Sequence, residues 1–165
     1  MNAQKEISES LGRLKELARG GYAMALHIEF TTPAYLFQTY PKAWIDYYSQ
    51  NGLVMRDPTV MWGFDNLGMI DWSELSDSDP DRIMDQAREH GIDNGFTYAL
   101  EVGDHRTICS FAKGSERFPQ SEIDQIKAEV DRMCELTLGL DTLAPETRDA
   151  LRKMSILFTH PGPDM

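Results

Sequence analysis

Between residues 35 and 72 the chain carries nine aromatic side chains, among them Tyr40, Trp44, Tyr48 and Trp72, interspersed with Asp57 and Thr59. Residues of these types suit the capture of a small molecule with an apolar body and a polar head. Aromatic walls exclude water and offer large apolar area, while an indole N–H, a phenol O–H and a carboxylate fix the head by hydrogen bonds. Aromatic residues at helical spacing also build ordinary cores, so composition alone leaves that reading open.

Other chemistries find less support. Asp77, Asp79 and Asp81 open like a calcium loop, but Arg82 and Arg88 stand where the loop needs glycine and a bidentate glutamate. His27, His90, His105 and His160 are far apart, with no zinc-type spacing around them. Cys109 lies four residues after His105. On a strand that separation is about 13 Å at ~3.3 Å per residue, too far for a nucleophile–base pair. No GxSxG elbow, dinucleotide fingerprint or phosphate loop occurs. The expectation is a binding protein, not an enzyme, with no catalytic residues, no metal and no cofactor.

Several elements must hold the aromatic segment in place. Ile7, Leu11, Leu14 and Leu17 share one helical face that ends at Gly20-Gly21. Residues 22–30 read as a largely buried strand, and 33–37 as a second short one. Pro41 stands where a first-turn proline opens a helix running to Asn51-Gly52, with Trp44 and Tyr48 on one face. Asp57 caps a further short helix whose first residue is Pro58. A helix is predicted over 81–90, followed by strands at 95–103 and 106–114 joined through Asp104-His105. A long amphipathic helix spans 119–140, a last helix runs from Pro145 to Phe158, and 160–165 form a proline-rich tail. Helices flanking hairpin-connected strands imply an α+β fold, an α-β-α sandwich in one domain over 1–165.

At 165 residues the chain is the size of one domain, and 41% hydrophobic residues suffice for its core. With 27 acidic against 16 Lys+Arg residues the net charge is −11, the wrong sign for a surface that neutralises phosphates. No apolar run long enough to span a bilayer occurs, and the N-terminus lacks the basic and apolar regions of a secretory signal. A cytoplasmic protein with reduced, buried Cys109 and Cys134 is therefore expected.

Tyr40-x3-Trp44-x3-Tyr48, then Asp57-Pro58-Thr59-Val60, then Trp72, resembles the signature of the LuxR-type autoinducer-binding domain, a sensor of N-acyl-homoserine lactones. Ala87, Gly91 and Gly95, and the strand ending Ser110-Phe111-Ala112, resemble further segments of that family, so the likeness extends over about residues 20–140. It implies an α-β-α sandwich whose mainly antiparallel sheet encloses the ligand against one helical layer. It further implies that Trp44 donates to the lactone carbonyl, Asp57 accepts from the amide N–H and Tyr40 donates to the amide carbonyl. Tyr48 and Thr59 add polar groups, and Trp72 walls the lactone end. Ala112 occupies a position where some relatives carry a hydroxyl, which removes one ligand hydrogen bond.

The resemblance implies a stand-alone quorum-sensing receptor that binds an acyl-homoserine lactone or related amide non-covalently and regulates transcription indirectly. No helix-turn-helix segment follows in the sequence, so direct DNA binding is not expected. A second reading is a ligand-independent regulator that pairs with a full-length LuxR-type protein as an inactive heterodimer. Partners on these readings are a small-molecule autoinducer and a second chain, as homodimer or heterodimer, with no membrane.

Overall fold

Alternation along the strands divides the interior into two compartments. In the computed structural model, which describes residues 3–30 and 32–138, five antiparallel strands form one sheet in the order β2-β1-β5-β4-β3. The strands are β1 (Gly21–Glu29), β2 (Thr32–Gln38), β3 (Gly68–Asp71), β4 (Gly95–Val102) and β5 (His105–Ala112). Tyr22, Met24, Leu26, Phe37, Phe96, Cys109 and Phe111 face one side. There they form a core with Ile7, Leu11 and Leu14 of α1 (Ala3–Leu17) and Ile126, Val130 and Met133 of α5 (Gln120–Leu138). Successive side chains on a strand point to opposite faces, so Ala23, Ala25, Leu36, Gln38, Thr97, Ile108 and Ser110 face the other side. That side is covered by α2 (Lys42–Gln50), α3 (Pro58–Asp65) and α4 (Ile83–Arg88).

This is the α-β-α sandwich expected from the sequence. Charged pairs fasten the first helical layer: Arg13 with Glu129 and Arg132 with Glu6 link α1 to α5, and Ser10 donates to Glu129 at 2.9 Å. Cys109 and Cys134 are free and buried in this layer's core, and burial pushes both thiols up.

Several boundaries differ from the sequence reading. Pro41 is the residue before α2 rather than its first, because its φ of −54° and ψ of 141° are extended; its carbonyl receives the Trp44 and Ile45 N–H groups. The β4–β5 hairpin turns on Gly103-Asp104. Val102 pairs with His105, and Gly103 supplies the left-handed φ of 62° that a two-residue turn needs. Strand β1 stops at Glu29, and Phe30, at φ 60°, is 90% exposed. The helix expected at 81–90 shrinks to α4 because Arg82 is left-handed; the Asp79 carboxylate accepts from Ile83 and Met84 N–H at 2.9 and 2.8 Å. Three elements were not expected: a 3₁₀ turn over Leu53–Met55, β3, and a 3₁₀ segment over Trp72–Ser78 that contains Asp77. The helix predicted for 145–158 and the 160–165 tail lie outside the described residues. Among those residues, no helix is long and apolar enough to cross a membrane.

Candidate ligand-binding site

Between the sheet and the α2/α3/α4 layer lies a cavity of about 460 Å³. All six residues singled out from the sequence line it: Tyr40, Trp44, Tyr48, Asp57, Thr59 and Trp72. Its floor is the alternate face of the sheet, laid out in cross-strand rows. Gln38, Ala23 and Ser110 are paired neighbours in the first row, Leu36, Ala25 and Ile108 in the second, Pro33 and Ile28 in the third. Ile28 regains this face because His27, at φ 54°, interrupts the alternation and the β1–β5 register shifts between Ala25 and Ile28. The first row is polar, the other two apolar.

Asp57 is the residue before α3, and its side chain caps that helix, as the sequence implied. Its Oδ1 accepts the Thr59 N–H at 2.9 Å and the Thr59 hydroxyl at 2.7 Å, and its Oδ2 accepts the Tyr48 hydroxyl at 2.7 Å. Capping and cavity lining therefore coexist in one carboxylate. The Val60 N–H also faces this carboxylate, which lines the cavity, and Oδ2 accepts from Tyr48 alone among the hydrogen-bonded side chains. Burial raises the Asp57 pKa, while the bonds from Thr59 and Tyr48 oppose that shift. Tyr48 and Thr59, expected as additional polar groups of the pocket, line the cavity and direct their hydroxyls at Asp57, holding it in place.

Trp44 is 4% exposed and surrounded by rings, with Tyr47, Tyr48 and His90 centroids at 5.9, 5.9 and 5.3 Å. Packing of this kind fixes the indole plane, and among the described residues its Nε1 has no hydrogen-bond partner. Tyr40 does not sit on α2, which begins two residues later. It reaches the cavity from the β2–α2 connection, with its ring laid against Gly21, where an added Cβ would come within 2.5 Å of Tyr40 Cδ1. Burial raises the Tyr40 phenol, and the nearby Asp57 charge raises it further, so it is a donor across the physiological range.

Trp72 walls the cavity from the 3₁₀ segment, and its Nε1 donates to Thr97 Oγ1 at 3.0 Å, which lies 2.7 Å from Ser110 Oγ. An indole nitrogen only donates, so Thr97 must accept there. Thr97 is fully buried and its Oγ1 has no other acceptor among the described residues, so its own proton goes to Ser110. The Ser110 proton is left to point elsewhere, and Ser110 borders the cavity. Thr97 and Ser110 were missed as a functional pair. Strand alternation was the available signal, since it puts Ser110 on the same face as Ile108 and opposite Cys109.

The polar side chains that line the cavity include Trp44, Tyr40 and Ser110 as donors and Asp57 as acceptor, together with Gln38 and Ser49, which can do either. Most of the remaining lining is apolar, including Ile28, Leu36, Val60, Phe64 and Ile108, and Phe64 is 38% exposed. Chemically this suits a molecule with one N–H, two or more carbonyl-type acceptors and a hydrocarbon tail.

Comparison with known proteins gives a consistent picture. A profile of the autoinducer binding domain matches residues 21–137. Transcriptional activator protein SolR of Ralstonia nicotianae is 24% identical over 138 residues, 79% of this chain and 58% of that protein. The quorum-sensing regulator RhlR of Pseudomonas aeruginosa is 26% identical over 129 residues, covering 74% and 54%. The chain thus spans somewhat over half the length of these relatives. A solved structure of SdiA in complex with octanoyl-rac-glycerol superposes with a TM-score of 0.65 at 20% identity, over 88% of this chain and 64% of that one.

Proposed function

The chain belongs to the autoinducer-binding domain family, and from that premise we propose that its cavity binds an N-acyl-homoserine lactone, or a closely related acyl amide, without covalent chemistry. The observation that carries this reading is the bonding of Asp57. Two donors from Thr59 reach Oδ1, one from Tyr48 reaches Oδ2, and the Val60 N–H also faces the carboxylate, so Oδ2, with a single donor, is the atom that a ligand N–H would meet. An amide supplies that N–H. Its carbonyl and the lactone carbonyl are acceptors for the hydroxyls of Tyr40 and Ser110 and for the Trp44 indole.

Binding rather than catalysis is the proposed activity. The Cys109 thiol is buried and its pKa raised, the opposite of an activated nucleophile. Regulation of transcription would then pass through whatever the ligand-stabilised fold contacts, as a homodimer or as a heterodimer with a longer relative. A ligand that binds only the folded state stabilises it by mass action, ~2.7 kcal/mol at one hundred times its Kd.

The test is thermal unfolding of purified protein against a panel of acyl-homoserine lactones, with octanoyl glycerol as an acyl ligand lacking the amide. A rise of several degrees with the amides, smaller with the glycerol ester and reduced in Trp44→Phe, is expected. No rise across the panel from folded, ligand-free protein contradicts the reading and favours the ligand-independent heterodimer.

A further inference from the structure

Resting on the reading above, we propose that His27 is a positioning residue of the ligand site that acts from the far face of the sheet. It holds the bulge that puts Ile28 on the cavity floor, and it ties that bulge to the last turn of α5. Leu26 and His27 of β1 together oppose Thr107 of β5, because Ala25 pairs with Ile108 and Ile28 with Arg106. Leu26 lies in the core beneath α5, and the His27 ring also turns to α5, so two successive side chains share one face and Ile28 falls on the other. There Ile28 packs with Ala99 and Ile108 and against Trp62 of α3. Strict alternation from Leu26 would instead send His27 into the cavity and Ile28 towards α5.

Two bonds hold His27 at its left-handed φ of 54°. Its backbone N–H donates to Thr107 Oγ1 at 3.0 Å, and its ring Nε2 lies 2.7 Å from Thr137 Oγ1 in the last turn of α5. The Thr137 hydroxyl donates to the Met133 carbonyl at 2.7 Å, so towards His27 it accepts, and the ring carries its proton on Nε2. Nδ1 is then bare, and it is buried with no partner among the described residues. A neutral ring fits this place, since burial and the nearby His105 lower its pKa while the Cys134 carbonyl opposes them. Both side chains are buried, so water does not compete for the bond.

The His27 ring lines no part of the cavity, whereas its neighbour Ile28 does. A ligand packed on Ile28 therefore favours the bulged backbone, the form in which the ring meets Thr137. By reciprocity, breaking the bond to Thr137 weakens that ligand.

Thr137→Val removes the bond, keeps the size of the side chain and alters no cavity residue. In titrations of the intact chain with octanoyl- and dodecanoyl-homoserine lactones it is expected to weaken binding about fivefold, as the loss of one net hydrogen bond requires. Bound lactone is expected to slow amide exchange over residues 134–138, relative to Ile126 and Val130 in the middle of α5, in the unmodified protein but not in the variant. Ser10→Ala removes a bond between α1 and α5 in the same layer; it controls for lost stability and is expected to leave affinity unchanged. Equal weakening in Ser10→Ala and Thr137→Val, or protection of 134–138 that survives Thr137→Val, overturns the proposal. A second arm needs no ligand: Ile28→Ala is expected to speed exchange over 134–138 relative to Ile126 and Val130, and an unchanged ratio overturns the proposal whether or not a lactone binds. Failure of both lactones to bind contradicts the receptor reading alone, and the Ile28→Ala exchange then decides the role of His27.

Discussion

The Tyr48 hydroxyl donates to Asp57 Oδ2 at 2.7 Å across the gap between α2 and the start of α3. This bond joins two elements of the helical layer and sets which lone pairs of the carboxylate remain for a ligand. Tyr48→Phe removes a bond to a carboxylate, and such bonds contribute ~1.5–3 kcal/mol. A loss of unfolding free energy of that size in the ligand-free protein is expected, read as a lower urea midpoint at unchanged slope. The same substitution removes one of the bonds that hold the Asp57 pKa down, so the low-pH edge of ligand binding should move to higher pH.

Because burial raises Asp57 above its ordinary value of 3.8, its protonated form is favoured in the folded state. Its contribution to stability is therefore present below the unfolded pKa and lost as pH rises through the folded one. Ligand affinity runs the other way, since a protonated carboxyl has lost an acceptor site. Titrations from pH 7 downward should show affinity falling as Asp57 protonates, at a pH above 3.8, while Asp57→Asn binds weakly with no such edge. An unchanged edge in Asp57→Asn would assign it to another group.

Thr97 is buried between the Trp72 indole and Ser110, at 3.0 and 2.7 Å. Thr97→Val leaves the buried Trp72 N–H without an acceptor, at a cost of about 1–3 kcal/mol, read as a lower urea midpoint. Thr97→Ser keeps the hydroxyl and should recover most of that loss. Equal losses in both variants would point to methyl packing instead of the hydrogen-bond chain.

Gly95→Ala tests how Trp72 is seated. A Cβ at Gly95 would lie 2.4 Å from the Phe111 carbonyl oxygen and 2.6 Å from Trp72 Cζ3. Both neighbours are packed, so the expectation is a loss of about 1–3 kcal/mol from overpacking, together with a changed tryptophan emission as the Trp72 ring is displaced.

Much of the architecture was legible because it rests on periodicity. The apolar stripes of α1 and α5, the β4–β5 hairpin and the Asp57-Pro58 helix start are local patterns, and each formed within a few residues of its expected place. The convergence of Tyr40, Trp44, Tyr48, Asp57, Thr59 and Trp72 on one cavity was legible in their spacing. What remained hidden depends on contacts distant in sequence. Tyr48 and Thr59 bond to Asp57 because α2 and α3 meet, and the Trp72–Thr97–Ser110 chain crosses three elements. Strand β3 is four residues long and its pattern of burial does not alternate. The bulge at His27 comes with a left-handed φ of 54°, uncommon outside glycine, and the apolar run around it reads as a continuous strand.

The central claim is that Asp57 Oδ2 accepts a ligand N–H inside this cavity. The most direct measurement is the affinity of an octanoyl-homoserine lactone against its oxygen-ester analogue, which keeps the lactone, carbonyl and tail but lacks the N–H. The amide is predicted to bind at least tenfold more tightly, as a lost bond to a buried carboxylate of ~1.5–3 kcal/mol requires, and Asp57→Asn should narrow the gap. Equal affinity of amide and ester for the unmodified protein would contradict the account.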